Sequence, residues 1–267
     1  MSEFAAFAHG LTWILPIAGL GWVVSLVKRN VAIVDSLWGL FFLAACAAYA
    51  GAAPALSERA WVVLILVLCW ALRLSGHITM RNWGQGEDHR YQAIRRNNEP
   101  GFEFKSVYIV FGLQALLAWI ISLPLFVAIG SDAPLNAIDY AAACLWLFGF
   151  TFEAVADWQL AAFKRAPGNA GRVFDRGLWR YSRHPNYFGE CCLWWGFYLF
   201  AAAAGGWYAV VAPVLMTVLL LRVSGVALLE RAMVVRRPEY REYMRRTNGF
   251  VPGAPRTLQT NSSGVKS

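Results

Sequence analysis

The sequence predicts an all-α integral membrane protein: a seven-transmembrane-helix bundle with the N-terminus outside and the C-terminus in the cytoplasm. Three observations predict it. Of 267 residues, 58% are hydrophobic and only 15% are charged, against roughly 25% charged in a soluble domain. Seven apolar runs each approach the ~20 residues a helix needs to cross a bilayer. Basic residues gather in alternate loops between those runs.

The runs lie near 11–27, 31–51, 60–79, 106–129, 138–161, 186–204 and 207–229. Hydrocarbon offers backbone groups no partner, so these runs must be helices. They are continuous rather than alternating, which excludes a barrel. Lys28 and Arg29 follow the first run; Arg81, Arg90, Arg95, Arg96 and Lys105 follow the third. Lys164, Arg165, Arg172, Arg176, Arg180 and Arg183 follow the fifth, and a basic tail follows the seventh. The opposite loops, 52–59 and 130–137, carry Arg59 alone. With seven spans every basic loop falls on one side, and the positive-inside rule sets the orientation.

The net charge of +8 is therefore read as topology, and nucleic acid is not expected as a partner. Thirteen Trp and ten Tyr suit membrane interfaces. Five cysteines, with no Cys-x-x-Cys, read as small apolar residues and not as disulfides or metal ligands. Residues 1–10 lack a basic n-region, so no cleaved signal peptide is expected. No internal repeat is visible, which weighs against inverted-repeat transporters. One domain over 1–256 and a polar, disordered tail over 257–267 are expected.

An ionisable group inside a span costs about 2.5–3.5 kcal/mol on insertion scales, so each needs a reason. Asp35 and Trp38 share a face of the second helix. Two roles are open for Asp35: pairing with Lys28 or Arg29, or a polar contact at the inner end of a substrate pocket. Arg73 and His77, four apart on the third helix, pair with Asp35, snorkel, or touch substrate. Glu153 and Asp157, four apart on the fifth, either meet basic partners or accept from a ligand.

The densest element is Gly177-Leu178-Trp179-Arg180-Tyr181-Ser182-Arg183-His184-Pro185-Asn186-Tyr187-Phe188-Gly189-Glu190. It leads from a basic loop into the sixth helix, with Pro185 suited to the first turn. Asn186 and Glu190 share a face. Guanidinium groups and helix N-termini bind phosphate, while Asn and Glu read an amide or a ribose. The segment Pro238–Arg246 reads as a basic amphipathic helix that binds anionic lipid or closes over a phosphate-bearing cofactor. No Rossmann fingerprint, Walker loop or zinc pair occurs, so no metal is expected.

This element, with Asp157-Trp158-Gln159 before it and Glu-Tyr-x-x-Tyr-like residues ahead of Pro252, resembles the C-terminal signature of the membrane steroid 5α-reductase family. Val34-Asp35-x-x-Trp38-Gly39 and Gly86-Glu87-Asp88-x-Arg90-Tyr91 resemble a bacterial branch of it. The resemblance is most specific over 150–252. It implies a seven-helix bundle that binds NADPH from the cytoplasm and reduces the C=C bond of an α,β-unsaturated ketone in a steroid or other enone lipid. By position it implies cofactor contacts at Asn82, Asp157, Arg172, Asn186 and Glu190. Lys164, Tyr181, Arg183, His184 and Tyr187 in the same loop and helix start, and Tyr240 and Arg245 in the tail, complete the expected set. Asp35 stands where the family has a carbonyl-polarising glutamate. The family's partner Tyr on the third helix is missing here, which leaves Arg73 or His77 beside Asp35. The implied location is a bacterial inner membrane, with membrane lipid around the bundle and no obligate protein partner.

Two other readings stay open. Isoprenylcysteine carboxyl methyltransferases, which use S-adenosylmethionine, carry a similar Arg-His-Pro-x-Tyr-x-Gly, usually without the equivalents of Asn186 and Glu190. A lipid or sterol sensor would keep the apolar pocket and show no turnover.

Overall fold

The computed structural model describes residues 2–223 and 225–256. The expected tail over 257–267 lies outside them. The described residues are helical, with one isolated parallel bridge, Ser182 to Asn248, and no strand. The helices are α1 (Glu3–Lys28), α2 (Ile33–Ala52), α3 (Glu58–Asn82), α4 (His89–Asn98), α5 (Phe102–Ile121), α6 (Leu123–Gly130) and α7 (Ala137–Arg165). They continue as α8 (Pro185–Ala203), α9 (Trp207–Val223), α10 (Val226–Arg236) and α11 (Tyr240–Arg246).

Among the described residues, α1, α2, α3, α5 and α7 are long and apolar enough to cross a membrane. Only 28–44% of each of these spans is buried within the protein. Large apolar side chains such as Leu20, Val27, Trp61, Ile65 and Leu72 face outward. Such faces are compatible with lipid as solvent and not with water. The chain is a multi-pass integral membrane protein. The two remaining expected spans are helical but less decisive. Helix α8 is 19 residues long, and Pro, Asn, Glu and Tyr dilute its hydropathy. Helix α9 is apolar but ends at Val223 rather than near 229.

Local chemistry explains the boundaries. Helix α1 begins at Glu3, eight residues before the expected span, because Ser2 Oγ accepts from the Ala5 N–H at 3.3 Å. It stops where Arg29 adopts a left-handed φ of 49°. Ser57 caps α3 in the same way, through the Ala60 N–H.

The chain divides into two compact units. The first comprises the described residues of Met1–Ala142 and Phe197–Ala212; the second comprises those of Ala143–Gly196 and Pro213–Ser267. The core of the first is aromatic and tightly packed, around Phe41, Phe42, Trp70 and Phe111. It also encloses Arg59, which is fully buried. Arg59 Nε and Nη2 donate to the two Asp139 oxygens at 2.7 and 2.8 Å. Its other donors reach Ser131 Oγ, the Ala133 carbonyl and the Pro134 carbonyl at 2.9–3.2 Å. All guanidinium hydrogens are thus used, which is what lets a full charge stay buried.

In the second unit α7 and α8 cross at van der Waals limits. A Cβ on Gly189 would sit 2.6 Å from the Glu153 nitrogen and 2.7 Å from the Gly149 carbonyl oxygen. Only glycine permits that approach, and the crossing sets Asn186 and Glu190 against the Glu153–Asp157 face of α7.

Candidate functional site

Polar groups of the second unit converge on the start of α8. Asn186 Nδ2 donates to Asp157 Oδ1 at 3.1 Å. Asn186 Oδ1 accepts from the Tyr187 N–H at 3.1 Å, in the first turn of the helix. One turn on, the Trp194 indole donates to Glu190 Oε1 at 3.0 Å. Asp157 and Glu190 are both buried. Two helix faces read separately in the sequence, Asn186/Glu190 and Glu153/Asp157, thus meet through the Asn186–Asp157 bond at the Gly149–Gly189 crossing.

The loop before α8 is held at several points. Gly177 has φ +57°, and its α-carbon lies against the Gln159 side chain. Gln159 Oε1 accepts from the Leu178 N–H at 3.0 Å, and the Trp179 indole donates to the Ala156 carbonyl at 3.0 Å. The tail folds onto the other side of the loop. Tyr243 donates to the Trp179 carbonyl, Ser182 Oγ to the Phe250 carbonyl at 2.7 Å, and the Arg183 N–H to the Asn248 carbonyl at 2.9 Å.

Arg183 and His184 both bind Glu230 Oε1, at 2.7 and 3.1 Å. Arg183 Nη1 also donates to the Met244 and Thr247 carbonyls at 3.1 and 2.6 Å. Burial pushes the Glu230 carboxyl up, but the bonds from His184 and Arg183 outweigh it and hold its pKa below the ordinary value. Arg183 and His184, expected as ligand contacts, tie α10 and the tail to the loop. Tyr240 is buried beside them, and burial raises its pKa. Tyr187 stacks on His184 with ring centroids 5.7 Å apart. Tyr181, Lys164, Arg172 and Arg245 are exposed.

A separate polar group occupies the first unit. Asp35 accepts from Tyr91 at 2.5 Å and from Arg90 Nη2 at 2.8 Å. Gln114 Nε2 donates to the Tyr91 oxygen at 2.9 Å, from the turn that follows a π-helical stretch at Val107–Gly112. Tyr91 is buried, and burial and then the Asp35 charge push its phenol pKa upward. The segment 86–91 works as a latch. Glu87 accepts from the Val31 N–H in the α1–α2 turn at 2.9 Å and from Arg95 twice at 2.9 Å. Asp88 caps α4 through the Arg90 N–H. The partners of Asp35 are thus Arg90 and Tyr91, not Lys28, Arg29 or Arg73. Arg73 and His77 lie half-buried on α3, and Asn82 at its end accepts from Arg81 at 3.1 Å. Sequence reasoning noted Arg90 as a loop charge and Arg90 with Tyr91 as part of a resemblance, and missed their partner. Among the described residues no cluster of three metal-ligating side chains occurs.

The family described as protein of unknown function (DUF1295) matches residues 21–247. The chain belongs to that family. Both polar groups lie within the matched span. An uncharacterized protein of Schizosaccharomyces pombe is 27% identical over 224 residues, 72% of this chain. The chain spans 63% of the length of that relative. No solved structure matches.

Proposed function

We propose that the chain is an NADPH-dependent oxidoreductase of the steroid 5α-reductase type, reducing the C=C bond of an α,β-unsaturated ketone in a steroid-like lipid. In this reading it has seven spans, with the N-terminus outside and the cofactor side and C-terminus in the cytoplasm of a bacterial inner membrane. The observation that carries it is the Asn186–Asp157 hydrogen bond at the head of α8, in the stretch that resembles the reductase signature. A buried carboxylate next to an amide, with arginines in the loop behind it, fits a ligand with ribose hydroxyls, a carboxamide and phosphates.

NADPH, when bound, supplies the hydride. Asp157 and Asn186 hold polar edges of the cofactor, Glu190 supports them from one turn deeper, and Arg172 meets phosphate. The carbonyl-polarising role that the resemblance gives Asp35 passes in this reading to Tyr91, which stands in place of Arg73 or His77, with Asp35 and Arg90 orienting it. A carbonyl oxygen reaching this group competes with Asp35 for the phenol hydrogen. Asp35 retains Arg90 when Tyr91 turns away, so the exchange leaves no carboxylate without a donor. A donor aimed at the forming enolate oxygen is worth about 2.7–4 kcal/mol in other enzymes.

The test is binding to detergent-purified protein, read as thermal shift with NADPH, NADH and S-adenosylmethionine in parallel. Ligand at ~100 times its Kd adds ~2.7 kcal/mol. A shift with NADPH that Asn186→Ala abolishes is the expected result. A shift with S-adenosylmethionine alone replaces the reading with a methyltransferase; no shift with any of the three leaves a sensor.

A further inference from the structure

Helix α9 carries exposed apolar side chains in a line. Val214 and Val218 are exposed and four apart, and the next position in that spacing is Arg222, also exposed. In a membrane protein such a valine line faces acyl chains. The arginine that ends it marks the depth of the headgroups, because its long stem stays in apolar surroundings while the guanidinium reaches phosphate and water. The helix ends one residue later at Val223, itself exposed. The chain then turns at Gly225, where the backbone leaves the helical region (φ −105°, ψ −111°) and a Cβ would run into the Leu220 carbonyl. Helix α10 thus starts beside the headgroups as a separate helix.

One face of α10 is held by the protein. Glu230 bonds Arg183 and His184 at 2.7 and 3.1 Å. Val226, Met233 and Val234, three or four residues from Glu230 and so on its side of the helix, are half-buried. The opposite face is open. Arg231 and Val235 are four apart and Leu229 and Arg236 seven apart, so each pair forms a line along the helix. All four are exposed, Val235 at 84%. An open face that sets an aliphatic side chain beside each guanidinium fits a bilayer interface. There aliphatic groups enter the acyl boundary and arginines stay with the headgroups.

The charge is one-sided. From 219 to 237 stand Arg222, Arg231, Arg236 and Arg237 against Glu230 alone. Glu230 is engaged on the held face, and the Arg237 guanidinium turns back to donate to the Arg172 carbonyl. That leaves Arg222, Arg231 and Arg236 to set the sign of the open side. The segment Pro238–Arg246, expected to meet lipid or a cofactor, instead turns Tyr240 and Tyr243 inward, and both are buried. An acidic protein would match the three arginines but would give no reason for Leu229 and Val235 among them, or for continuity with the valine line of α9.

We infer that α10 lies on the bilayer surface, with Leu229 and Val235 in the acyl boundary and Arg222, Arg231 and Arg236 on the headgroups of anionic phospholipids. This holds whether or not the chain is a reductase. Hydrogen exchange of the full-length protein in nanodiscs tests it, read by mass spectrometry over 226–236. Nanodiscs of phosphatidylcholine are compared with nanodiscs of phosphatidylcholine and phosphatidylglycerol in equal parts. Each arginine near an anionic surface strengthens attachment roughly fivefold, so phosphatidylglycerol should slow exchange by about tenfold or more. High salt should reverse much of that. Helix α4 should exchange alike in both discs; equal slowing there would be a general gain in stability and overturns the assignment. Arg222→Gln/Arg231→Gln/Arg236→Gln should lose the slowing with α4 unchanged. Arg222→Lys/Arg231→Lys/Arg236→Lys should keep most of it, and Val235→Ser should reduce it. No slowing in the wild type, or undiminished slowing in the Gln variant, overturns the assignment. Slowing by soluble glycerol 3-phosphate in pure phosphatidylcholine discs would give the arginines to a free phosphate. Slowing there by polyglutamate, with none from phosphatidylglycerol, would give them to an acidic protein. Either result overturns the lipid surface.

Discussion

Tyr91 donates its phenol hydrogen to Asp35 across 2.5 Å, joining the start of α4 to the start of α2. Gln114 and Arg90 complete the group, so each oxygen of Asp35 has a strong donor and the phenol oxygen accepts one. Tyr91→Phe removes one bond to a charged acceptor and leaves packing intact. Such bonds are worth about 1.5–3 kcal/mol, and the melting temperature should fall accordingly. If Tyr91 also serves the substrate carbonyl, turnover should drop about 10²–10³-fold with an enone steroid. Unchanged turnover with lowered stability would confine Tyr91 to the latch.

Arg59 and Asp139 make a test without reference to catalysis. Arg59→Ala leaves the Asp139 carboxylate in a dry core and should destabilise by about 3–5 kcal/mol, read by thermal unfolding in detergent. Arg59→Met/Asp139→Leu removes both charges and should recover much of that loss. A double variant as unstable as the single would mean that the loop carbonyls of Ala133 and Pro134, and not the ion pair, dominate.

Much of the architecture was legible because lipid writes itself into composition. Five of the seven expected runs fall on single helices, while 106–129 is divided between α5 and α6 and 207–229 between α9 and α10; Pro185 marks the first turn of α8 as its chemistry requires. Four-residue spacing put Asn186 with Glu190 and Glu153 with Asp157, each pair on one helix face, but nothing in the spacing brought the two faces together as the Asn186–Asp157 bond does. What stayed hidden is long-range polar pairing. Arg90 and Tyr91 lie 55 and 56 residues from Asp35, and Asp139 lies 80 from Arg59. No periodicity reports such distances. Arg59 read as a stray outer-loop charge because a hydropathy pattern does not distinguish a buried guanidinium from an exposed one.

Gly189→Ala tests the helix crossing. A methyl group there overlaps the Glu153 nitrogen and the Gly149 carbonyl, both backbone and unable to yield by a rotamer change. Overpacking of this kind costs about 1–3 kcal/mol. The helices must separate, which lengthens the Asn186–Asp157 bond. The melting temperature should fall, and NADPH affinity should weaken by more than in Gly19→Ala, where nothing lies within 4 Å of the added carbon. Equal affinities in the two variants would uncouple the crossing from the site.

Glu230 supplies a prediction in pH. Its folded pKa lies below the ordinary 4.5, because the bonds from His184 and Arg183 outweigh its burial. A carboxyl with a depressed folded pKa binds protons more readily when unfolded, so stability rises with pH wherever that difference operates. The contribution is fully present above 4.5 and disappears as pH falls through the lower folded value. Glu230→Gln should therefore be less stable than the wild type at neutral pH, by about 1–3 kcal/mol for the loss of charged bonds. The two curves should converge on acidification below 4.5, as the wild-type carboxyl takes up its proton. Stability measured from pH 7 to pH 3 in both proteins reads this directly. Parallel curves over the whole range would mean that Arg183 holds the tail through the Met244 and Thr247 carbonyls alone, with Glu230 contributing no net charge interaction.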